Sequence, residues 1–420
     1  MEEQVVEEKS SISFNLNNIT TWINIIFDLL LIALVVLIPL FFWNQTTEFY
    51  ETPKFLILVF LTGIMLILWG IRCVLSGKVT LTRTPLDLPL LLLLIVLVVS
   101  TFFVPTKAIA IFGNLPRIHG GLLTFTVYIL LYFILVSTIK QINTVKQVIN
   151  VLLGVGILLS ILSLLAYAGI KIIPLDFTSG LNFTPTGSSF STTAILALLL
   201  PFPLISLLSG KGKDILGLGS SDNLLGSISN DFSLSVISQK IIISLILALF
   251  AITIALTGTM ATYIVAIAAI ALVLITTPPI SIQKNIVFLA IPIFLAITLF
   301  FISSISLGGK NNILYTQAQN FPREIQLPFQ ASWKISIDSF RDSPLWGTGP
   351  GTYLFNFTAY KPVDFNTTKF WNIRFDQPFN EYFQILATLG ALGLIAILLL
   401  TVVFLSSAFK SLTSTQGSLS

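Results

Sequence analysis

The sequence is poor in charge and in the residues that bind metal ions. Its 420 residues include one cysteine, one histidine and 10% charged side chains. The single cysteine, Cys73, excludes an internal disulfide framework, and the single histidine, His119, excludes a metal site built from several imidazoles. Carboxylates remain as possible metal ligands, but no Asp or Glu pair has ligand-like spacing within a hydrophobic run. We therefore expect no metal ion and no organic cofactor.

Hydrophobic side chains dominate what is present. They make up 55% of the sequence, and the mean hydropathy is +0.95, whereas soluble domains carry about 25% charged residues. Crossing the hydrocarbon core of a bilayer takes about 20 apolar residues. On that measure we predict an all-α polytopic membrane protein with about ten transmembrane helices, at residues 22–43, 55–76, 86–104, 121–139, 148–169, 191–209, 240–257, 260–277, 285–306 and 379–408.

Basic residues in the short loops predict the orientation of these helices, because cytoplasmic loops of membrane proteins carry an excess of Lys and Arg. The formal net charge of +4 therefore reflects orientation, and we expect membrane lipids and no nucleic acid as partners. The N-terminus and C-terminus are both predicted to be cytoplasmic. This orientation assigns Lys9, Arg72, Lys78, Arg83, Lys140, Lys146, Lys211, Lys213, Lys240, Lys284 and Lys410 to the inner side, and only Lys54, Lys107, Arg117 and Lys171 to the short outer loops.

The predicted orientation divides the chain into five parts. Residues 210–239, between two spans, are rich in Gly, Ser, Asn and Asp, which predicts a flexible cytoplasmic loop without a catalytic role. The five parts are a cytoplasmic tail at 1–20, a bundle of about nine helices at 21–306, an extracytoplasmic loop at 307–378, the last transmembrane helix at 379–408 and a second cytoplasmic tail at 409–420.

The extracytoplasmic loop is predicted to contain an amphipathic helix. Between residues 329 and 341, apolar side chains recur at helical spacing, and charged side chains occupy the other side. Such a helix fits the membrane surface, a cap over the bundle, or a lid over a lipid-linked substrate. The apolar row is Phe329, Trp333, Ile337 and Phe340, and the charged row is Lys334, Asp338 and Arg341.

A glycine-rich stretch follows this helix. Gly347, Gly349 and Gly351 flank Pro350, and no Lys follows them, so the stretch is neither a P-loop nor a dinucleotide fingerprint. We interpret it as a structural turn that packs backbone against neighbouring helices. The alternative is a turn whose exposed N–H groups bind phosphate oxygens.

Charged and polar residues gather on the predicted outer face, close to the start of the last span. Guanidinium groups suit diphosphates because they form bidentate, charge-assisted hydrogen bonds. Arg374 is the strongest candidate, since it lies just before the chain re-enters the membrane. Polar groups at that depth need a partner or a cavity. The candidate anion-binding residues are Arg117, Arg323, Arg341 and Arg374, and the polar residues at the boundary are Asp376, Asn380, Glu381 and Tyr382, with His119 in an earlier outer loop.

Several segments together resemble the O-antigen ligase and O-antigen polymerase superfamily of polytopic membrane glycosyltransferases. The resemblance extends over residues 55–405, and the two motifs nearest the C-terminus are the most specific. The matching segments are Phe112-Gly-Asn-Leu-Pro-Arg-Ile-His-Gly-Gly121, Phe183-Thr-Pro-Thr-Gly-Ser188, Leu256-Thr-Gly-Thr259, the stretch from Trp333 through Ser343-Pro-Leu-Trp-Gly-Thr-Gly-Pro-Gly-Thr-Tyr353, and Asn380-Glu-Tyr-Phe-Gln384 with Leu389-Gly-Ala-Leu-Gly393.

The resemblance implies a metal-independent, inverting glycosyltransferase of the GT-C type. It implies transfer of a glycan from a polyprenyl diphosphate carrier to a hydroxyl of a lipid, glycan or protein acceptor. Cations would stabilise the departing diphosphate, and a base would accept the acceptor's proton. This chain departs from the family in having Phe379 where O-antigen ligases have His, and Met260 where they often have Arg. The candidate catalytic residues are Glu381, Asp376 and His119, and the candidate substrate-binding residues are Arg374, Arg117, Arg341, Arg323, Asn380 and Tyr382.

Two other classes of function fit the same composition. A transporter or flippase of lipid-linked glycans would have polar residues inside its spans, but spans such as 22–43 and 285–306 contain very few. A non-catalytic membrane protein of the same fold would account for Phe379 and Met260. Within the enzyme class, residue types do not separate a ligase from a polymerase or a protein O-glycosylase.

Overall fold

The secondary structure is helical throughout the described residues. A computed structural model describes residues 2–79, 81–114, 117–175, 178–209, 236–305 and 312–417. In these ranges there is no β-strand, and a single isolated β-bridge joins Asn114 to His119. The helices are α1 (Glu2–Leu40), α2 (Glu51–Ser76), α3 (Asp87–Phe103), α4 (Lys107–Phe112), α5 (Leu122–Thr138), α6 (Ile142–Tyr167), α7 (Ser189–Leu199), α8 (Pro201–Ser209), α9 (Val236–Thr257), α10 (Met260–Thr276), α11 (Pro279–Ser304), α12 (Ile313–Asn320), α13 (Phe329–Asp342), α14 (Tyr353–Tyr360) and α15 (Glu381–Gly417), with a 3₁₀ turn at Val363–Thr367.

Seven helical segments among the described residues are long and apolar enough to cross a membrane. Three further apolar helices, α3, α5 and α10, lie where spans were predicted but have fewer than 18 residues. The prediction of an all-α polytopic membrane protein is confirmed, and the number of ten spans stays a prediction. The seven segments are Ile19–Leu40, Glu51–Ser76, Ile142–Tyr167, Ser189–Leu208, Ile237–Thr257, Pro279–Ser304 and Glu381–Ser411.

Two of the predicted parts contain helices beyond the predicted spans. Helix α1 runs without interruption from Glu2 to Leu40, and its apolar, membrane-spanning segment begins at Ile19. The predicted outer loop contains three short helices, α12, α13 and α14. Most of the predicted flexible loop, residues 210–235, lies outside the described residues, and its last four residues begin α9.

The described structure consists of two compact units. Unit 1 comprises Met1–Phe27, Asn44–Ile139 and Ile325–Ser420, and unit 2 comprises Asp28–Trp43 and Lys140–Glu324. The core of unit 2 forms where aliphatic and aromatic side chains of α6 to α11 interdigitate, with Leu196, Leu204 and Phe250 fully buried. Van der Waals packing stabilises this core, because lipid tails are as apolar as these side chains and supply no hydrophobic driving force.

The predicted amphipathic helix is confirmed as α13, and its buried residues lie mostly outside the apolar row. Phe329 and Trp333 of the apolar row are about half exposed. The buried residues of α13 are Ser332, Ile335, Ser336 and Ser339. Helix α13 packs against α15. The Ser332 hydroxyl accepts a hydrogen bond from Phe379 N–H (2.9 Å) just before α15, and the rings of Phe329 and Trp333 contact Phe383. Ile335 joins a core with Tyr353, Phe357, Phe375 and Ala387.

Helix α15 is broken at Gly390, and the glycine-rich turn fills the break. Gly390 has φ 66° and ψ −158°, which is not helical. The N–H groups of Thr348 and Gly349 donate to the carbonyls of Ala387 (3.2 Å) and Thr388 (2.8 Å). In return, the N–H groups of Ala391 and Leu392 donate to Pro344 (2.9 Å) and Leu345 (3.4 Å). Backbone groups that the kink would leave unpaired in α15 are therefore satisfied by the turn.

The three glycines of the turn each approach another segment of unit 1. A Cβ on Gly347 would overlap the backbone of Thr388, and one on Gly349 would overlap the Val104 side chain. A Cβ on Gly351 would lie 2.9 Å from the carbonyl oxygen of Ile109. Because the N–H groups of Thr348 and Gly349 already have carbonyl acceptors, this geometry supports the structural interpretation of the turn over phosphate binding.

A tyrosine–carboxylate hydrogen bond stabilises the outer helices of unit 1. The Tyr360 hydroxyl at the end of α14 donates to Asp342 Oδ2 at the end of α13. This bond, followed by burial, raises the pKa of Tyr360 to about 12 from its ordinary value near 10. The bond's stabilisation is thus complete below pH 10 and is lost as the pH rises through about 12.

We expect Tyr360→Phe to lower the free energy of unfolding by about 0.5–1 kcal/mol near neutral pH, a value reduced by solvent screening. Thermal unfolding in detergent at pH 8 and pH 11 measures the effect. The difference between the wild type and the variant should be smaller at pH 11. Tyr382→Phe is the control, since the Tyr382 hydroxyl has no hydrogen bond among the described residues. Equal losses in the two variants would contradict the prediction.

Candidate functional site

Polar side chains from three segments of unit 1 meet at the start of α2. His119 Nδ1 lies 3.8 Å from Glu51 Oε2, and His119 Nε2 is hydrogen-bonded to Gln377 Nε2. Arg117 Nη1 lies 3.7 Å from Asp376 Oδ2. We call these five residues, Glu51, Arg117, His119, Asp376 and Gln377, the unit 1 polar cluster.

The contacts of His119 favour one form of the neutral ring. With the amide nitrogen of Gln377 as donor, His119 Nε2 is the acceptor, so the proton of the neutral imidazole resides on Nδ1. His119 Nδ1 is buried and has no hydrogen-bond partner among the described residues. The Glu51 carboxylate faces that nitrogen at 3.8 Å. This arrangement orients the ring between Glu51 and Gln377.

The loop between α4 and α5 holds Arg117 and His119 in a strained conformation. Ile118, which lies between them, has φ 48°, a region that β-branched residues rarely adopt. The loop is closed by the hydrogen bond from Ile118 N–H to the Asn114 carbonyl (2.9 Å) and by the bridge between Asn114 and His119. Strain of this kind concentrates at functional sites. The backbone is thus strained at Ile118, directly beside the single histidine of the sequence.

Glu51 is fixed by the local structure at the start of α2. The Glu48 carboxylate accepts hydrogen bonds from the backbone N–H groups of Tyr50 (3.1 Å) and Thr52 (2.9 Å), which caps the helix. Glu51 therefore begins α2 and reaches the cluster from the first helical turn, where a negative charge is favoured by the helix dipole. Sequence reasoning missed Glu51. The available signal was an acidic residue in the first turn of an apolar span.

The segment before α15 contributes the remaining residues of the unit 1 polar cluster, Asp376 and Gln377. Asp376 and Gln377 contact Arg117 and His119, and the Glu381 carboxylate lies within electrostatic range of His119. Asn380 Oδ1 accepts a hydrogen bond from Phe383 N–H (2.9 Å) and so caps α15. The predicted candidates Arg117, His119, Asp376 and Glu381 are thus brought together.

Four other predicted site residues are not joined to the cluster by any described contact. Arg374 is exposed and has no ion pair or side-chain hydrogen bond within the described ranges. Arg341 pairs with Asp338 on the surface of α13 at 3.2 Å. Tyr382 is 46% exposed, and Arg323 belongs to unit 2. The assignment of these four residues to one outer face stays a prediction.

Part of the chain matches a known family. Residues 245–398 match the family model described as O-antigen ligase. This segment of the chain is similar to the O-antigen ligase family. The O-antigen ligase match runs from within α9 to within α15, and includes α13 and the glycine-rich turn. The loop that carries Arg117 and His119 lies outside it. No curated protein matches the chain.

The O-antigen ligase domain and the apolar helices together identify a multi-pass membrane protein with a glycosyltransferase or ligase type of function. The family implies a lipid-linked glycan donor and an acceptor. Phe379, which stands where the resemblance places a histidine, packs its ring against Phe329 at 5.6 Å between centroids. No group of three or more His, Cys, Asp and Glu side chains suited to a metal ion occurs in the described part of the chain.

Proposed function

We propose that this protein transfers a glycan from a polyprenyl diphosphate carrier to an acceptor hydroxyl at the extracytoplasmic face of a cell membrane. The observation that carries the proposal is the unit 1 polar cluster, in which a histidine, a carboxylate partner and an arginine lie together in a chain with a segment similar to the O-antigen ligase family. The family supplies the reaction class, and the cluster supplies a base and a cation for it.

The reaction needs a single displacement at the anomeric carbon. The acceptor oxygen forms a bond to that carbon, the bond to the diphosphate oxygen breaks, and the stereochemistry inverts. The acceptor's proton passes to the base, and the electron pair of the broken bond leaves with the diphosphate. In this proposal His119 Nε2 accepts the proton once a substrate hydroxyl displaces the Gln377 amide, and Glu51 orients the imidazole ring.

Arginines are assigned to the leaving group. Arg117 lies beside the proposed base, and its partner Asp376 holds the guanidinium in place at 3.7 Å. Arg374 is exposed two residues before Asp376 and has no partner among the described residues, so it is free to meet an incoming diphosphate. Positive charge at this point stabilises the charge that develops in the transition state. Glu381, close to His119, is assigned to the acceptor hydroxyl.

The function is tested with purified protein in nanodiscs, a labelled polyprenyl diphosphate oligosaccharide and host membrane lipids. We expect free polyprenyl diphosphate to be released in the presence of EDTA. Arg117→Gln should reduce release by about 100-fold, the scale on which loss of one transition-state contact acts. Lys369→Gln is the matched control, an exposed cation of the same predicted outer region with no role in the site.

Other outcomes would replace the proposal. If the labelled lipid changes leaflet without release, the protein is a transporter of lipid-linked glycans. If it neither releases nor moves the lipid across several donors, the chain is a non-catalytic member of the superfamily. If EDTA abolishes release and a divalent cation restores it, the metal-independent mechanism is wrong.

A further inference from the structure

Arg323 lines a polar pocket in unit 2 that the proposed reaction does not use. The pocket has a volume of about 510 Å³, and Ser303, Ser304 and Gln319 contribute its polar groups. Phe300 forms part of its wall. Arg323 is the only cation that lines the pocket among the described residues. The pocket therefore combines one positive charge with hydrogen-bonding side chains.

The neighbouring carboxylate does not neutralise this charge. Glu324 Oε1 accepts hydrogen bonds from Ser188 Oγ (2.7 Å), Ser189 Oγ (3.3 Å) and Phe190 N–H (3.3 Å) at the start of α7. Glu324 is thus engaged with a helix terminus, where a carboxylate is favoured. The guanidinium of Arg323 has no ion pair or hydrogen bond within the described ranges, which leaves all its donors available for an anion.

An apolar groove adjoins the polar pocket. The groove has a volume of about 490 Å³ and lies among α9, α10 and α11, with side chains such as Ile254, Ile267 and Ile297 along it. Ala255 and Phe300 line both cavities. A polar pocket with one cation thus opens directly beside a hydrocarbon-lined groove. This combination matches an amphiphile with an anionic head and an apolar chain.

We propose that unit 2 binds an anionic phospholipid, with the phosphodiester on Arg323 and Gln319 and one acyl chain in the groove. The single positive charge of the pocket favours a lipid phosphodiester over a lipid diphosphate. One guanidinium balances the single negative charge of a phosphodiester, whereas a diphosphate would bring more charge than the pocket's one cation offsets. Arginine also pairs with phosphate in a bidentate manner. The inference uses no residue of unit 1, so it stands independently of the proposed transferase activity.

The test is native mass spectrometry of the full chain, delipidated in detergent and titrated with phosphatidylglycerol or phosphatidylcholine. We expect one phosphatidylglycerol per chain, retained at least about tenfold more tightly than phosphatidylcholine. Arg323→Gln should remove that preference. Lys284→Gln is the matched control, because it removes one exposed positive charge from the other end of α11, about 28 Å from Ser303 along the helix. It should leave the preference unchanged.

A second variant separates lipid binding from simple anion binding. Ala255→Leu adds bulk at the junction of the two cavities, so it should weaken phosphatidylglycerol binding several-fold while leaving binding of glycerol phosphate unchanged. Three results would overturn the proposal: equal retention of the two lipids, equal behaviour of Arg323→Gln and Lys284→Gln, or displacement of phosphatidylglycerol by stoichiometric polyprenyl diphosphate. The last result would assign the pocket to an isoprenoid donor. Circular dichroism of each variant verifies that it is folded.

Discussion

His119→Gln is expected to reduce glycan transfer by about 100- to 10,000-fold, the range over which removal of a general base acts. Glutamine retains hydrogen bonding but does not accept a proton at neutral pH. The effect follows from the position of His119 between Glu51 and Gln377. Initial rates of polyprenyl diphosphate release, measured at saturating donor, give the change. Binding of the donor should remain, so the loss appears in kcat and not in KM.

Glu51→Gln supplies the companion measurement, because Glu51 acts through His119 and is a positioning residue. Removing the carboxylate leaves the imidazole ring less firmly oriented towards the acceptor hydroxyl, so the maximal rate should fall by about tenfold while KM stays unchanged. Glu51→Asp should restore part of the rate. If His119→Gln transfers glycan at the wild-type rate, the base is another group, and Glu381 is the next candidate by its proximity to His119.

Gly390→Ala is expected to destabilise the protein by about 4 kcal/mol or more, a loss found only for a few mechanisms. Gly390 has φ 66°, and an added Cβ would lie 2.7 Å from the backbone of Leu345. The substitution would thus impose backbone strain and separate the glycine-rich turn from α15. We expect the apparent Tm in detergent to fall steeply, together with the yield of folded protein.

Gly63→Ala is the matched control for this prediction. Gly63 lies within α2, and no atom approaches within 4 Å of a Cβ built there, so alanine should leave the Tm unchanged or raise it slightly. Gly347→Ala should behave like Gly390→Ala, because it faces the same contact from the turn. Equal melting temperatures for Gly390→Ala and Gly63→Ala would show that the turn does not hold α15 in its bent form.

The sequence was sufficient for features that depend on local pattern. Long apolar runs predicted the positions of the helices, and the 3.6-residue spacing between 329 and 341 predicted α13. The buried face of α13 was not predictable in this way. Its buried residues are Ser332, Ile335, Ser336 and Ser339, while the half-exposed Phe329 and Trp333 contact Phe383 of α15. Which residues of an amphipathic helix become buried depends on tertiary packing as well as on hydrophobicity.

The candidate site was only partly predictable, because its partners are distant in sequence. Arg117, Asp376 and Glu381 were identified by charge type and by their place at the predicted membrane boundary. The approach of Glu51 and Gln377 to His119 depends on how α2, the α4–α5 loop and the segment before α15 pack. Arg323 was assigned to the site by the same spacing argument, and it belongs to unit 2. A sequence shows which residues are charged, but it does not show which of them are close together in the folded protein.

Unit 1 is built from segments that come before and after the main segment of unit 2 in the sequence. Its N-terminal and C-terminal parts are therefore synthesised at different times. Gln377 follows His119 by 258 residues, which ribosomes translate in roughly 13–50 s at about 5–20 residues per second. During that interval Arg117 and His119 are present in the nascent chain, but their contacts Asp376 and Gln377 have not yet been synthesised. In the proposed function, the site is therefore completed only after residue 377 has been synthesised.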